Sequence, residues 1–139
     1  MSDDPDQRIA EIASTCPAMR SRATSRALAK RFDAVLRPHG LTSSQLAVLV
    51  AVGMDGECRA NQLAEALSLS PAAATRSLDI LERNGWVRST KRTGRLRHVA
   101  LTDAGHGLVV NAYPDWRKLR DAIELGVNGF ADDVVSSRR

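Results

Sequence analysis

Apolar positions recur along this chain with two different periods, and the change of period divides it into elements. Leu63, Ala64 and Leu67 share one helical face, with Asn61, Gln62 and Glu65 left for water. Ser68-Leu69-Ser70 is too short for anything but a sharp turn, and Ser70-Pro71 supplies an N-cap followed by a favoured first helical residue. A second helix therefore starts at Pro71. Its inner face is Ala74, Leu78 and Leu81, and it runs to about Asn84, where Gly85 can take the left-handed conformation that ends it. Beyond it the period falls to two. Trp86 to Thr90 and Leu96 to Leu101 alternate apolar and polar side chains around a turn near Thr93-Gly94, the pattern of two half-buried strands.

Helical patterns flank this middle on both sides. Residues 1–7 carry almost nothing apolar and are expected to be mobile. A helical pattern begins at about Arg8 and is interrupted at Pro17, where a kink or a fresh start is expected. Leu28, Phe32, Val35 and Leu36 then come at helical spacing until Pro38-His39-Gly40 ends the segment. Thr42 with Gln45 makes a capping box for a helix whose Leu46, Val48, Leu49, Val50 and Val52 are apolar nearly all round, so it should be central and buried. Gly53 to Gly56 should break it. After the strands, Thr102-Asp103-Ala104-Gly105 opens a last long helix through Leu108, Val109, Ala112, Trp116, Leu119 and Ile123, bent at Pro114. Gly126 and Gly129 weaken the helix toward the C-terminus, and Val127, Phe130 and Val134 suggest a short terminal helix there.

Charge changes this picture from a fold to a partner. A net charge of +4 over 139 residues is modest. Its placement is not, because acidic residues gather at Asp3, Asp4, Asp6 and Glu11 and again at Asp115, Asp121, Glu124, Asp132 and Asp133. From Arg83 to His98 stand Arg83, Arg88, Lys91, Arg92, Arg95 and Arg97 with no acidic residue. The expected partner of the middle is a polyanion. No apolar run approaches the roughly 18 to 20 residues that span a bilayer, and the acidic start is unlike a signal peptide, so a cytoplasmic protein is expected. Cys16 and Cys58 form no CxxC, and His39, His98 and His106 are scattered. No metal or cofactor constellation and no nucleophile motif is present, which argues against an enzyme.

A short helix, a tight turn, a longer helix and a basic hairpin make a winged helix-turn-helix layout, in which the N-terminal turns of the second helix reach base edges in the major groove. On that layout Ser70, Ala72, Ala73, Thr75 and Arg76 face DNA from the helix, and Arg88, Lys91, Arg92, Arg95 and Arg97 from the hairpin. The run from Leu41 through Gly105, with LTSSQLAVL, QLAEAL, SLSPAAATRSLDILERNGWV and VALTDAG, resembles the winged core of MarR-family bacterial transcription regulators. The resemblance implies a mostly α single domain over 1–139. In it, 41–102 is the DNA-binding core, a short strand lies at Glu57-Cys58-Arg59, and 8–38 and 103–136 are dimerisation helices. It further implies a homodimer on double-stranded operator DNA, acting as a repressor released by a small molecule, often an aromatic or phenolic acid. Arg20, His39 and Trp116 are the candidate residues for that ligand.

The chain departs from the family pattern in places. The hairpin is about two residues short, Thr93 replaces the Asp that usually precedes the tip Arg matched by Arg95, and Arg59 replaces a Ser or Thr cap. Cys16 raises a thiol-based redox-sensing alternative. In the hydroperoxide-sensing branch, however, the reactive cysteine and its supporting tyrosine would fall on Ala18 and Arg22. Cys58 is expected to pack in the core. A sequence-independent architectural DNA-binding protein and a protein-interaction winged helix are the alternatives from other classes.

Overall fold

The computed structural model describes residues 4–93 and 96–136, with the backbone only for 93 and 124–136. Helices α1 (Pro5–Thr15) and α2 (Pro17–Leu36) lead through a 3-10 turn at Arg37–His39 to α3 (Ser43–Met54). Strand β1 (Cys58–Arg59), helices α4 (Ala60–Ala66) and α5 (Pro71–Arg83), strands β2 (Val87–Thr93) and β3 (Leu96–Leu101) and helix α6 (Asp103–Ser136) complete the order. The strands form one antiparallel sheet in the order β1-β3-β2, with Cys58 opposite Val99 and Val87 opposite Leu101. The fold is therefore mostly α with a small β wing. A register shift between Ser89 and Lys91 takes Thr90 out of the ladder. The Thr90 hydroxyl donates instead to Glu57 Oε1 at 2.8 Å.

Helix α3 sits at the centre, packed on α2, α4, α5, α6 and the sheet, as its unbroken apolar sequence requires. Val48, Leu49 and Val52 from α3 join Leu36, Leu63, Leu78, Leu81, Val87, Val99 and Ala112 in one buried cluster. The expected capping box is present: Thr42 Oγ1 accepts from the Gln45 N–H at 3.1 Å, and Gln45 Oε1 accepts from the Thr42 N–H at 3.0 Å. Asp33 on α2 accepts from the Ser43 N–H at 2.6 Å, which ties the start of α3 to α2. The backbone hydrogen bond from Ser43, with Arg37 nearby, holds the Asp33 carboxyl below its ordinary value.

The turn between α4 and α5 is as tight as its sequence demands, and Ser68 takes a left-handed φ of 53° within it. Arg59 offers α4 no side-chain cap, since a guanidinium cannot accept; Gln62 Oε1 still takes the Arg59 N–H at 3.4 Å. Gly85 ends α5 at a φ of 79°, as expected. The VALTDAG segment has a specific packing role. Thr102 Oγ1 accepts from the Gly105 N–H at 3.0 Å and donates to the Gly85 carbonyl at 2.5 Å. A Cβ on Gly105 would lie 2.0 Å from the Trp86 carbonyl oxygen, so only glycine lets the start of α6 approach the β2 entry this closely.

The helical boundaries differ from the sequence expectation in three places. Helix α1 begins at Pro5, before Arg8, because Asp4 accepts from the Asp6 N–H at 3.1 Å as an N-cap and Pro5 fits the first turn. Residues 4–7, expected to be mobile, are thus capped helix. Helix α3 continues through Gly53 to Met54, and the chain turns at Gly56 with a φ of 73°. Helix α6 continues past Pro114, Gly126 and Gly129 to Ser136, so the separate terminal helix is absent; the side chains of Val127, Phe130 and Val134 lie outside the described residues. Pro17 does begin a new helix, with extended Cys16 as the joint.

Candidate nucleic-acid interface

Helix α5 is presented by its caps and its buried stripe. Ser70 Oγ accepts from the Ala73 N–H at 3.1 Å, Pro71 begins the first turn, and Ala74, Leu78 and Leu81 are sunk in the core. The opposite side of the helix is then turned outward. Ala72, Arg76 and Ile80, spaced i, i+4, i+8, form one exposed ridge, and Thr75 and Asp79 form the next; Ala73 is half-buried beside them. Among the described residues Arg76 has no ion-pair partner, although Asp79 stands three positions along the helix.

Arg97 explains that separation and corrects the expectation made for it. Alternation along β3 puts Arg97 on the same side as buried Val99, so it points at α5 and is only 7% exposed. Its guanidinium donates to Asp79 Oδ1 at 2.7 Å, to Glu82 Oε2 at 2.5 Å and to Ser89 Oγ at 3.2 Å. Arg97 therefore points inward as a clamp between the wing and α5 rather than outward as expected. Partial burial pushes the Glu82 carboxyl up, but hydrogen bonds from Ser89 and Arg97 and the Arg97 charge outweigh it and hold the group below its ordinary value. The signal was legible in the i, i+3 pair of carboxylates on α5 and in the phase of Arg97 with Val99.

Arg88, Lys91 and Arg92 are exposed along β2, the strand that follows α5 and packs against it. Arg95 lies outside the described residues. At the base of the wing Glu57 Oε1 meets His98 Nδ1 at 3.1 Å as well as Thr90, fastening both hairpin strands to the segment before β1. The result is an outward helix ridge whose guanidinium is unpaired among the described residues, followed by a strand with three exposed cations, while the two carboxylates of the same helix are held by a buried arginine.

The residues expected to meet a small ligand are not brought together. Trp116 lines an open apolar cleft of about 480 Å³ between α2, α3 and α6, with Phe32, Leu36, Leu46, Val50 and Val109 among its walls. Arg20 is exposed on the N-terminal half of α2 and does not line it. His39 is drawn away into a 2.7 Å contact between its Nε2 and Asp115 Oδ2. Only Ser43, Tyr113 and Trp116 among the lining residues carry a polar side-chain atom, and none is charged. Cys16 is half-buried at the α1–α2 joint. Cys58 is buried opposite Val99, and burial pushes its thiol up, as a core cysteine requires. Among the described residues no cluster of ligating side chains could hold a metal ion, and no helix is long and apolar enough to cross a membrane.

Helix, tight turn, outward helix and antiparallel hairpin define a winged helix-turn-helix protein. Residues 41–99, the winged core of this chain, match the model of the MarR family. Among solved structures, the M. tuberculosis transcriptional regulator MosR in complex with DNA is similar at 25% identity and a TM-score of 0.77, over 88% of this chain and 92% of that one. The transcriptional regulator PA4135 is 28% identical, with a TM-score of 0.70 over 85% of this chain and 90% of its own. A mutant E. coli MarR complexed with operator DNA shares the fold at 21% identity and a TM-score of 0.72, over 89% and 96% of the two chains. No curated protein sequence matches significantly.

Proposed function

We propose that this protein is a sequence-specific DNA-binding transcription regulator of the cytoplasm. It acts as a homodimer on a pseudo-palindromic operator, with α5 in the major groove and the β2–β3 wing on the flanking backbone. The observation that carries this is the outward ridge of α5, with Arg76 unpaired among the described residues, together with exposed Arg88, Lys91 and Arg92 on the strand packed against that helix, where α5's own carboxylates are neutralised by Arg97. MosR, at 25% identity, is a regulator seen in complex with DNA, which supports the same use of this surface. Repression, released when a small molecule enters the cleft between α2, α3 and α6, completes the proposal; movement there would alter the spacing of two recognition helices that must meet grooves about 34 Å apart. Cys16 is left out of this mechanism.

The test is to sequence genomic fragments bound by the purified protein and to challenge the recovered duplexes with excess random DNA. Enrichment of a two-fold-related motif whose complex survives the challenge is the expected result. Binding without enrichment would make the protein an architectural one, and no binding beyond that of a generic basic protein would leave the winged helix a protein-interaction module.

A further inference from the structure

The chemistry on the outward face of α5 is unusually restricted, and it limits what kind of base sequence the helix can recognise. Resting on the proposal that α5 enters the major groove, we infer that each half-site is read through thymine methyl groups bracketing one guanine. The ridge Ala72–Arg76–Ile80 presents a methyl, a guanidinium and a branched alkyl chain in that order, and Ile80 is 42% exposed although it is one of the most apolar residues of the helix. Thr75 adds a further methyl on the adjacent ridge, and half-buried Ala73 another on the far side. No Asn or Gln, the pair that recognises adenine edges, occurs between Pro71 and Arg83. The carboxylates that could accept from cytosine, Asp79 and Glu82, are both bound by Arg97.

What the first two turns and the middle of the helix offer for base contacts is apolar surface, which matches the 5-methyl of thymine, the Thr75 hydroxyl, which does not discriminate among bases, and one forked donor, Arg76, which matches guanine O6 and N7; the other arginine of α5, Arg83, stands in its last turn. Eight residues of helix rise about 12 Å, so Ala72 and Ile80 lie roughly three to four base pairs apart along the groove, with Arg76 midway.

The experiment starts from a duplex selected by the full-length protein out of a randomised pool. In that duplex, thymines are replaced one at a time by deoxyuridine, which removes only the methyl, and guanines by 7-deazaguanine, which removes N7. At two or more thymines per half-site affinity should drop about fourfold, the equivalent of ~0.8 kcal/mol for one buried CH₂. One intervening guanine should be sensitive to the deaza change. Ile80→Ala should abolish the uracil effect at one thymine and leave the others. Arg76→Ala should abolish only the deaza effect. Failure to select any sequence overturns the reading of α5 as a recognition helix. Selection with indifference to every uracil substitution leaves that reading intact and overturns the methyl readout.

Discussion

Arg97 is the residue on which the two halves of the interface depend. Replacing it with Ala leaves Asp79 and Glu82 without their cation and frees the wing from α5, with no gain of a DNA contact because Arg97 faces inward. Both carboxylates are partly exposed, so the cost is that of hydrogen bonds to charged groups in partial water, roughly 1 to 3 kcal/mol, read by urea denaturation. The clamp also carries a pH signature. A carboxyl whose folded value is depressed contributes stability that is fully present above its unfolded value and is lost as pH falls through the folded one. Asp33 and Glu82 are both depressed, so stability should be flat at neutral pH and decline below about pH 4.5, less steeply in Arg97→Ala. An unchanged acid limb in that variant would show that Glu82 owes nothing to the clamp. The same residue measures what a linear sequence conceals. Five hairpin cations read as one DNA-facing surface, and only the phase of Arg97 with Val99 sets its inward guanidinium apart. Arg20 and His39 do not line the cleft for a related reason: helical spacing fixes a face, whereas which other element meets that face is a matter of packing, and Asp115 on α6 claims His39.

Between elements, the wing and the start of α6 make separable contributions. On the proposed function the exposed cations of β2 meet phosphate, and a dimer neutralising about 6 to 8 phosphates should then show log K falling against log salt with a slope of about −5 to −7. Lys91→Ala with Arg92→Ala removes two cations per wing and should flatten that slope by about 3 to 4, while preference among sequences persists. A slope near zero in the parent protein would contradict a wing on the backbone. The joint between wing and α6 gives a paired prediction from two neighbouring glycines. Gly105→Ala drives a Cβ into the Trp86 carbonyl and should cost roughly 1 to 3 kcal/mol or more. Gly107→Ala meets nothing within 4 Å and should stabilise the helix by about 0.5 to 1 kcal/mol. Thermal unfolding of the two variants should therefore move in opposite directions. Most of this level was legible beforehand, since caps, turns and alternation are local: the Thr42–Gln45 box, the Ser70-Pro71 start and Gly85 all lie where short-range chemistry puts them. Continuity was not. Gly53, Gly126 and Gly129 weaken a helix locally, yet α3 and α6 continue through them because a helix once nucleated propagates past a weak position.

At the scale of the molecule, the described surface keeps apolar groups that one chain does not cover. Ile9 and Ile12 on α1 are 65% and 59% exposed, and Val110 and Tyr113 on α6 are 56% and 47% exposed. Sedimentation equilibrium at micromolar concentration should give a dimer, since burying such faces yields about 25 cal/mol per Å²; a monomer would remove the two-half-site operator with it. The apolar cleft then decides which small molecule could act on that dimer. The resemblance to MarR regulators suggests aromatic acids, but an anion entering this cleft finds no cation among its lining residues, because Arg20 is elsewhere and His39 is held by Asp115. The guanidinium of Arg120 lies 5.0 Å over the Trp116 ring and is hydrogen-bonded to Asp121. A carboxylate would thus surrender its hydration without a partner, a cost well above the roughly 1.4 kcal/mol that corresponds to tenfold in affinity. An uncharged aromatic of the same shape would not. A benzoate and its amide, matched ring for ring and titrated against tryptophan fluorescence at neutral pH, should differ by at least about tenfold in favour of the amide. The quench should disappear in Trp116→Phe, which leaves Trp86 as the only other tryptophan. Tighter binding of the benzoate would mean that a cation reaches the cleft from a second copy of the chain, and the neutral-ligand expectation would fall.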